Sequence, residues 1–186
     1  MRPGVFLDRD DTIIDNKDAT AHTAHPGDLL DPGLVRLLPG AGEALAELHT
    51  ARLPLIVVTN QGGVAQGYGT LRDVEAVNDR MRELLARFGV VLAGVYYSPA
   101  RGDGVAARFR PDPRDPVPWR KPGAGMLVTA AAELGLDLAR SWMIGDAPRD
   151  VEAGVRAGLM RERCLLIGAG LPLADVAAAA RVVMGQ

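Results

Sequence analysis

Five short apolar runs punctuate the chain: Gly4–Leu7, Leu55–Val58, Gly94–Tyr97, Trp142–Ile144 and Cys164–Ile167. Each is too short and too uniformly apolar for a surface helix, and each ends at polar or glycine residues, so each is expected to be a strand. Between and after them lie Gly40–Ala51, Leu71–Gly89, Gly125–Gly135, Asp150–Gly158 and Leu173–Met184, which read as helices. In the second of these, Leu71, Val74, Val77, Met81, Leu84, Leu85 and Phe88 recur at helical spacing, and Gly89 supplies a C-terminal stop. Strand–helix alternation of this kind predicts an α/β fold with a mostly parallel sheet.

Two segments break the rhythm. Asp15–Leu38 is polar and turn-rich before a short apolar "LVRLL". Ser98–Arg120 has no periodicity and holds five prolines and five arginines. A loop that long inside a compact domain is usually functional. No repeat or linker divides the 186 residues, so the whole span 1–186 is expected to form one domain.

Composition narrows the function classes without choosing one. A net charge of −2 argues against a chain that coats nucleic acid or a membrane surface. No apolar stretch has the roughly 18–20 residues a bilayer span requires, and the N-terminus lacks a signal-peptide pattern. The expectation is a soluble cytoplasmic protein with no nucleic-acid or membrane partner. Cys164 is the single cysteine and falls in a strand, which leaves no internal disulfide and no cysteine-cluster zinc site. His22, His25 and His49 sit in no metal-ligand spacing and read as surface residues. Only two of the 21 basic residues are lysines, Lys17 and Lys121.

The chemistry collects after the strands, where open parallel sheets bind ligands. The first strand is followed by Asp8-Arg9-Asp10-Asp11-Thr12 and the second by Thr59-Asn60-Gln61-Gly62-Gly63. Arg120-Lys121-Pro122 follows the long loop, and Gly145-Asp146-Ala147-Pro148-Arg149-Asp150 follows the fourth strand. Clustered carboxylates repel unless a cation neutralises them, and Mg²⁺ favours a few carboxylates, water and substrate phosphate oxygens. A carboxylate is also a competent nucleophile for aspartyl-phosphate chemistry. A lysine, a hydroxyl and a metal together can stabilise a transferring phosphoryl group.

In this order the four motifs resemble the haloacid dehalogenase (HAD) superfamily of phosphotransferases. Asp8, Asp10 and Thr12 match its Asp-x-Asp-x-Thr, Thr59 its strand-end hydroxyl, Lys121 its lysine, and Gly145, Asp146 and Asp150 its last acidic motif. The resemblance implies a three-layer, Rossmann-like sheet and a Mg²⁺-dependent phosphatase. Asp8 is then the nucleophile and a metal ligand. Asp10 is the general acid and base, and its backbone carbonyl touches the metal. Thr59 and Lys121 hold the phosphoryl oxygens, Asp146 binds Mg²⁺, and Asp150 supports from behind.

"VVTNQGGVAQG", "GVYYSP" and "RKPGAGML" are similar to the branch containing heptose 1,7-bisphosphate 7-phosphatases and histidinol phosphatases, closer to the heptose enzymes. That likeness implies a small phosphorylated metabolite as partner and a monomer. It implies substrate contacts at Asn60, Gln61, Gly62 and Arg120, and near Asn16–Ala19. The spacings leave no room for a large cap, so residues 98–120 are expected to act as a partial lid.

Three departures bear on the substrate. The 98–120 loop lacks the cysteine and histidine ligands of its relatives, offering Ser98 and Ala100 instead, so no zinc is expected; five prolines would stiffen it. Ala147 stands where a phosphate-contacting lysine is usual, with Arg149 as a stand-in. Asn16–Leu38 is longer than in the usual heptose enzyme. Asp11 replaces a common glycine and is read as a tolerated turn residue. A histidinol-phosphate or other sugar-phosphate phosphatase remains an alternative. A receiver-type phosphoacceptor domain is a more distant one, since no aspartate follows the later strands "TNQ" and "YYSP".

Overall fold

A computed structural model describes residues 1–99 and 119–185. Five strands form one parallel sheet: β1 (Val5–Leu7), β2 (Leu55–Asn60), β3 (Gly94–Ser98), β4 (Trp142–Gly145) and β5 (Cys164–Leu166), in the order β3-β2-β1-β4-β5. Five helices connect or follow them: α1 (Ala41–Thr50), α2 (Leu71–Ala86), α3 (Gly125–Leu134), α4 (Pro148–Ala157) and α5 (Val176–Met184). Among the described residues, every pairing between these strands is parallel, so the expected fold class holds. The part of the 98–120 lid expectation that falls on residues 100–118, with Ala100 and four of the five prolines, lies outside the described residues.

The central strands β1, β2 and β4 are largely buried on both faces, which is why they read as unbroken apolar runs, while the edge strands β3 and β5 are largely half-buried. Alternation nevertheless sorts them. Val5, Leu7, Leu55, Val57 and Ile144 join one core with α1, α2 and α5. Phe6, Ile56, Val58 and Met143 join the opposite core with α3 and α4. The result is three layers, helix on sheet on helix. Cys164 is buried in the second core, and burial pushes its thiol up to about 11, which fits a packing residue.

Boundaries shift where polar residues continue an element. β2 runs on to Asn60 because Thr59 and Asn60 pair with Tyr97 and Ser98. α4 begins at Pro148, two residues before the expected start, since a proline at the first helical position loses no needed donor. α2 stops at Ala86 rather than Gly89, and the chain turns through Gly89 at φ 73°. Thr70 and Asp73 close a reciprocal capping box at its start. The Asp15–Leu38 segment is a series of turns, with Asp31 capping a short 3-10 turn at Pro32–Leu34. His25 is half-buried rather than simply exposed, its ring stacked on Tyr68 at 3.7 Å. Among the described residues, no helix is long and apolar enough to cross a membrane.

The strand order matters most at its centre. The chain builds outward from β1 through β2 to β3, then returns to place β4 on the other side of β1. The crevice between the carboxyl ends of β1 and β4 is therefore the topological switch point, where such sheets bind ligands. Asp8 leaves β1 there, its N–H donating to the Ile144 carbonyl at 2.9 Å, and Asp146 leaves β4 beside it.

Candidate active site

Asp8 is almost wholly buried, and its Oδ1 is held twice. The Arg9 N–H donates to it at 2.8 Å, and Lys121 Nζ lies 2.7 Å away. The same ammonium lies 2.7 Å from Asp150 Oδ1. Asp150 Oδ2 in turn accepts from the Ala147 N–H at 3.0 Å, half of a capping box at the start of α4. Asp150 thus anchors Lys121 and caps its helix at once.

Lys121 is fixed through its backbone as well. Asn60 Nδ2 donates to the Lys121 carbonyl at 2.9 Å, and the Lys121 N–H donates to Asn60 Oδ1 at 3.0 Å. The amide at the end of β2 therefore sets the register of the lysine segment. Gly145 makes room for this arrangement: a Cβ there would sit 2.5 Å from Asp150 Cβ. Gly145→Ala should cost about 1–3 kcal/mol of stability, as overpacking does, and lower turnover by displacing Asp150. Urea unfolding beside steady-state rates checks this; a fully stable variant would show that Asp150 relocates freely.

Asp10 lies at the rim, partly exposed. Its Oδ2 accepts from Gln61 Nε2 at 2.7 Å and, more weakly, from the Thr59 hydroxyl at 3.4 Å. Gln61 Nε2 also donates to Thr59 Oγ1 at 2.9 Å. Asp11 adopts φ 55°, the left-handed conformation expected of a tolerated turn residue, and its Oδ1 accepts from the Asn16 and Lys17 N–H groups. The extra acid is spent on shaping the loop.

The fit of a divalent cation follows from the charges. Asp8, Asp146 and Asp150 present carboxylate oxygens within 4.8 Å of one another, with the Lys121 ammonium against Asp8 and Asp150. Among the described residues, Asp146 Oδ1 is buried with no hydrogen-bond partner. The Asp146 carboxyl is pushed up to about 7, by burial first and then by the charges of Asp8 and Asp150, with Arg149 opposing. Asp150 is raised as well, by burial and then by Asp8, against the pull of Lys121. Three clustered acids with an unpartnered buried oxygen suit Mg²⁺.

These raised carboxyls make the metal-free protein pH-sensitive. The folded state holds protons that the unfolded chain releases at lower pH, so stability falls as pH rises through about 7. Asp146 is partly solvated, so the loss should be on the order of 1–2 kcal/mol. Added Mg²⁺ should therefore raise the melting temperature more at pH 8 than at pH 5. An equal response at both would mean the ion binds elsewhere.

The structure also places residues that sequence reasoning passed over. Arg9, between the two acids, has no exposed surface, and Asn78 on α2 is equally buried. Arg9 Nη1 donates to Asn78 Oδ1 at 2.9 Å. The signal was present: Asn78 sits in line with Val74, Met81 and Leu85 on the core-facing stripe of α2. Arg120 precedes Lys121 and is half-buried, Gly62 is buried, and Arg149 is exposed. Ser98 is buried, its carbonyl accepting from the Gln61 N–H at 2.7 Å. A cleft of about 740 Å³ opens beside Asp146, lined by Lys17, Asp18, Arg36, Gly168 and Asp175 among others.

Comparisons with known proteins agree with this geometry. A family model described as HAD-hydrolase-like matches residues 118–181. The D-glycero-β-D-manno-heptose-1,7-bisphosphate 7-phosphatase of Mesorhizobium japonicum is 43% identical over 157 residues, 84% of this chain; the match spans 66% of that protein's length. The D-glycero-D-manno-heptose-1,7-bisphosphate 7-phosphatase of Thermosynechococcus vestitus is 36% identical over 84% of this chain and 76% of its own. The crystal structure of D,D-heptose 1,7-bisphosphate phosphatase from B. bronchiseptica, complexed with magnesium and phosphate, superposes with a TM-score of 0.76 at 28% identity, covering 100% of this chain and 99% of that one.

Proposed function

Because the chain belongs to the D-glycero-D-manno-heptose-1,7-bisphosphate 7-phosphatase family of HAD-like hydrolases, we propose that it removes the 7-phosphate of that sugar through a phosphoryl-Asp8 intermediate. The observation that carries this reading is the Asp8 carboxylate at the switch point, held on one oxygen by Lys121 and Arg9 and flanked by Asp146.

With Oδ1 fixed, Asp8 Oδ2 is the oxygen that faces phosphorus. It attacks, the bond to the sugar O7 breaks, and Asp10 delivers a proton to that oxygen. Asp10 then takes a proton from water as the water attacks the phosphoryl group, and Asp8 is regenerated with release of inorganic phosphate. Lys121 and the Thr59 hydroxyl hold the phosphoryl oxygens, and Asn60 acts by setting the Lys121 backbone. Asp8, Asp146 and the Asp10 carbonyl hold Mg²⁺, which supplies charge neutralisation for the transferring group. Arg120 and Gly62 contact the rest of the substrate, Arg120 as a fork for the second phosphate.

The whole chain acts in this reading as one cytoplasmic hydrolase domain. Its named residues all come from one copy, so a monomer suffices. The test is Mg²⁺-dependent phosphate release from both heptose 1,7-bisphosphate anomers, histidinol phosphate and several sugar and nucleotide monophosphates. Strong preference for a heptose bisphosphate is expected. Preference for another ester would leave the chemistry in place and overturn the substrate.

A further inference from the structure

Among the described residues, Arg9 is the largest side chain with essentially no exposed surface, and it stands between the nucleophile and the acid–base residue. A buried guanidinium is tolerated only when its donors are met. Here Nε donates to Asp10 Oδ1 at 3.0 Å and Nη2 to Asp10 Oδ2 at 3.2 Å, a fork across the carboxylate. Nη2 also donates to Gln61 Oε1 at 2.8 Å, and Nη1 to Asn78 Oδ1 at 2.9 Å. Gln61 closes the ring by donating back to Asp10. The carboxylate is thus held in one plane by partners that reach it from the turn after β1, from the turn after β2 and, through Arg9, from α2.

We propose that Arg9, itself oriented by Asn78, is a positioning residue that aims the Asp10 carboxylate for proton transfer. This rests on the reading of Asp10 as the acid and base given above. The fork fixes the carboxylate plane. On Oδ2 the contact from Thr59 is the longest, at 3.4 Å against 2.7 Å from Gln61, so Arg9 and Gln61 set the carboxylate's orientation more than Thr59 does. Asn78 Oδ1 is an acceptor that Arg9 draws from a helix, which makes α2 the rigid backing of the catalytic acid.

Leaving-group dependence separates this role from a merely structural one. An alkyl ester such as heptose 1,7-bisphosphate needs its departing oxygen protonated, whereas p-nitrophenyl phosphate does not. Asp10→Asn, Arg9→Lys, Asn78→Leu and Asn78→Asp would be compared on both esters by kcat/KM, with folding followed by melting. Arg9→Lys and Asn78→Leu should lose about 10²-fold on the alkyl ester and far less on the aryl ester, as misplacement of a catalytic group does. Asn78→Asp keeps the acceptor and should rescue the alkyl rate. Arg9→Lys should add little further loss in the Asp10→Asn background.

Equal losses on both esters in Arg9→Lys and Asn78→Leu, or none, beside a selective loss in Asp10→Asn, would overturn the proposal alone. No selectivity in Asp10→Asn would overturn the reading of Asp10 beneath it, and the proposal with it. If the heptose ester is not hydrolysed, the alkyl monophosphate that the panel selects serves in its place.

Discussion

Asp8→Asn should reduce turnover by at least about 10⁴-fold, on the scale seen when a nucleophile is removed, while leaving the fold intact. The amide is isosteric but cannot carry the attacking charge. Asn60 still fixes the Lys121 backbone, and Asp150 still pairs with its ammonium. The substitution also removes one of three mutually repelling carboxylates. The metal-free variant should therefore melt no lower than wild type. Rates near wild type would remove Asp8 as the nucleophile. Lost activity with a sharp fall in melting temperature would instead mean that the Asp8–Lys121 contact holds the loops together.

Lys121→Met should have the opposite character, with large losses in both stability and rate. The ammonium has no exposed side-chain surface and lies 2.7 Å from two buried carboxylates. Removing one partner of a buried ion pair costs about 3–5 kcal/mol, because the remaining charge is left unpaired. Against a total stability of about 5–15 kcal/mol, that is a severe change. It should lower the melting temperature by roughly 6–20 °C for a chain of this size. Asp150, already raised by burial and by Asp8, loses the one cation that opposes that rise. The deficit should therefore shrink at pH 5, below the range in which the Asp146 carboxyl gives up its proton, and shrink again with Mg²⁺. Turnover should fall by about 10²–10³-fold or more, as when one preorganised charge is taken from a phosphoryl site. Melting curves at pH 5 and 8 with paired rate measurements check both parts; a small deficit that ignores pH would mean Lys121 is weakly coupled to the acids.

Much of this was legible along the chain, for reasons of local chemistry. A strand buried on both faces must be apolar along its length, so the central strands announced themselves as short runs such as Leu55–Val58, and the half-buried edge strands β3 and β5 carried a similar signal. A parallel sheet gathers ligands at its strand ends, so Asp8, Thr59 and Asp146 followed directly from what comes after each run. Asp11 was legible too, because a positive φ is a property of the residue and its neighbours. Boundaries at Asn60 and Pro148 were less so: strand pairing and a helical first turn both accept polar or imino residues without an apolar signature.

What the tertiary structure alone decided is where the long polar side chains point. Arg9 lies one residue from Asp8 and Asp10, yet its other partners, Gln61 and Asn78, are 52 and 69 positions away. Asn60 and Gln61 read as substrate contacts, but their amides turn inward to Lys121 and to Asp10. A side chain with several rotatable bonds takes its direction from whichever buried donor or acceptor must be satisfied, and those partners meet only when β1, β2 and α2 pack. Apolar patterning determined the scaffold and the rim. Satisfying the buried charges determined which residue aims which.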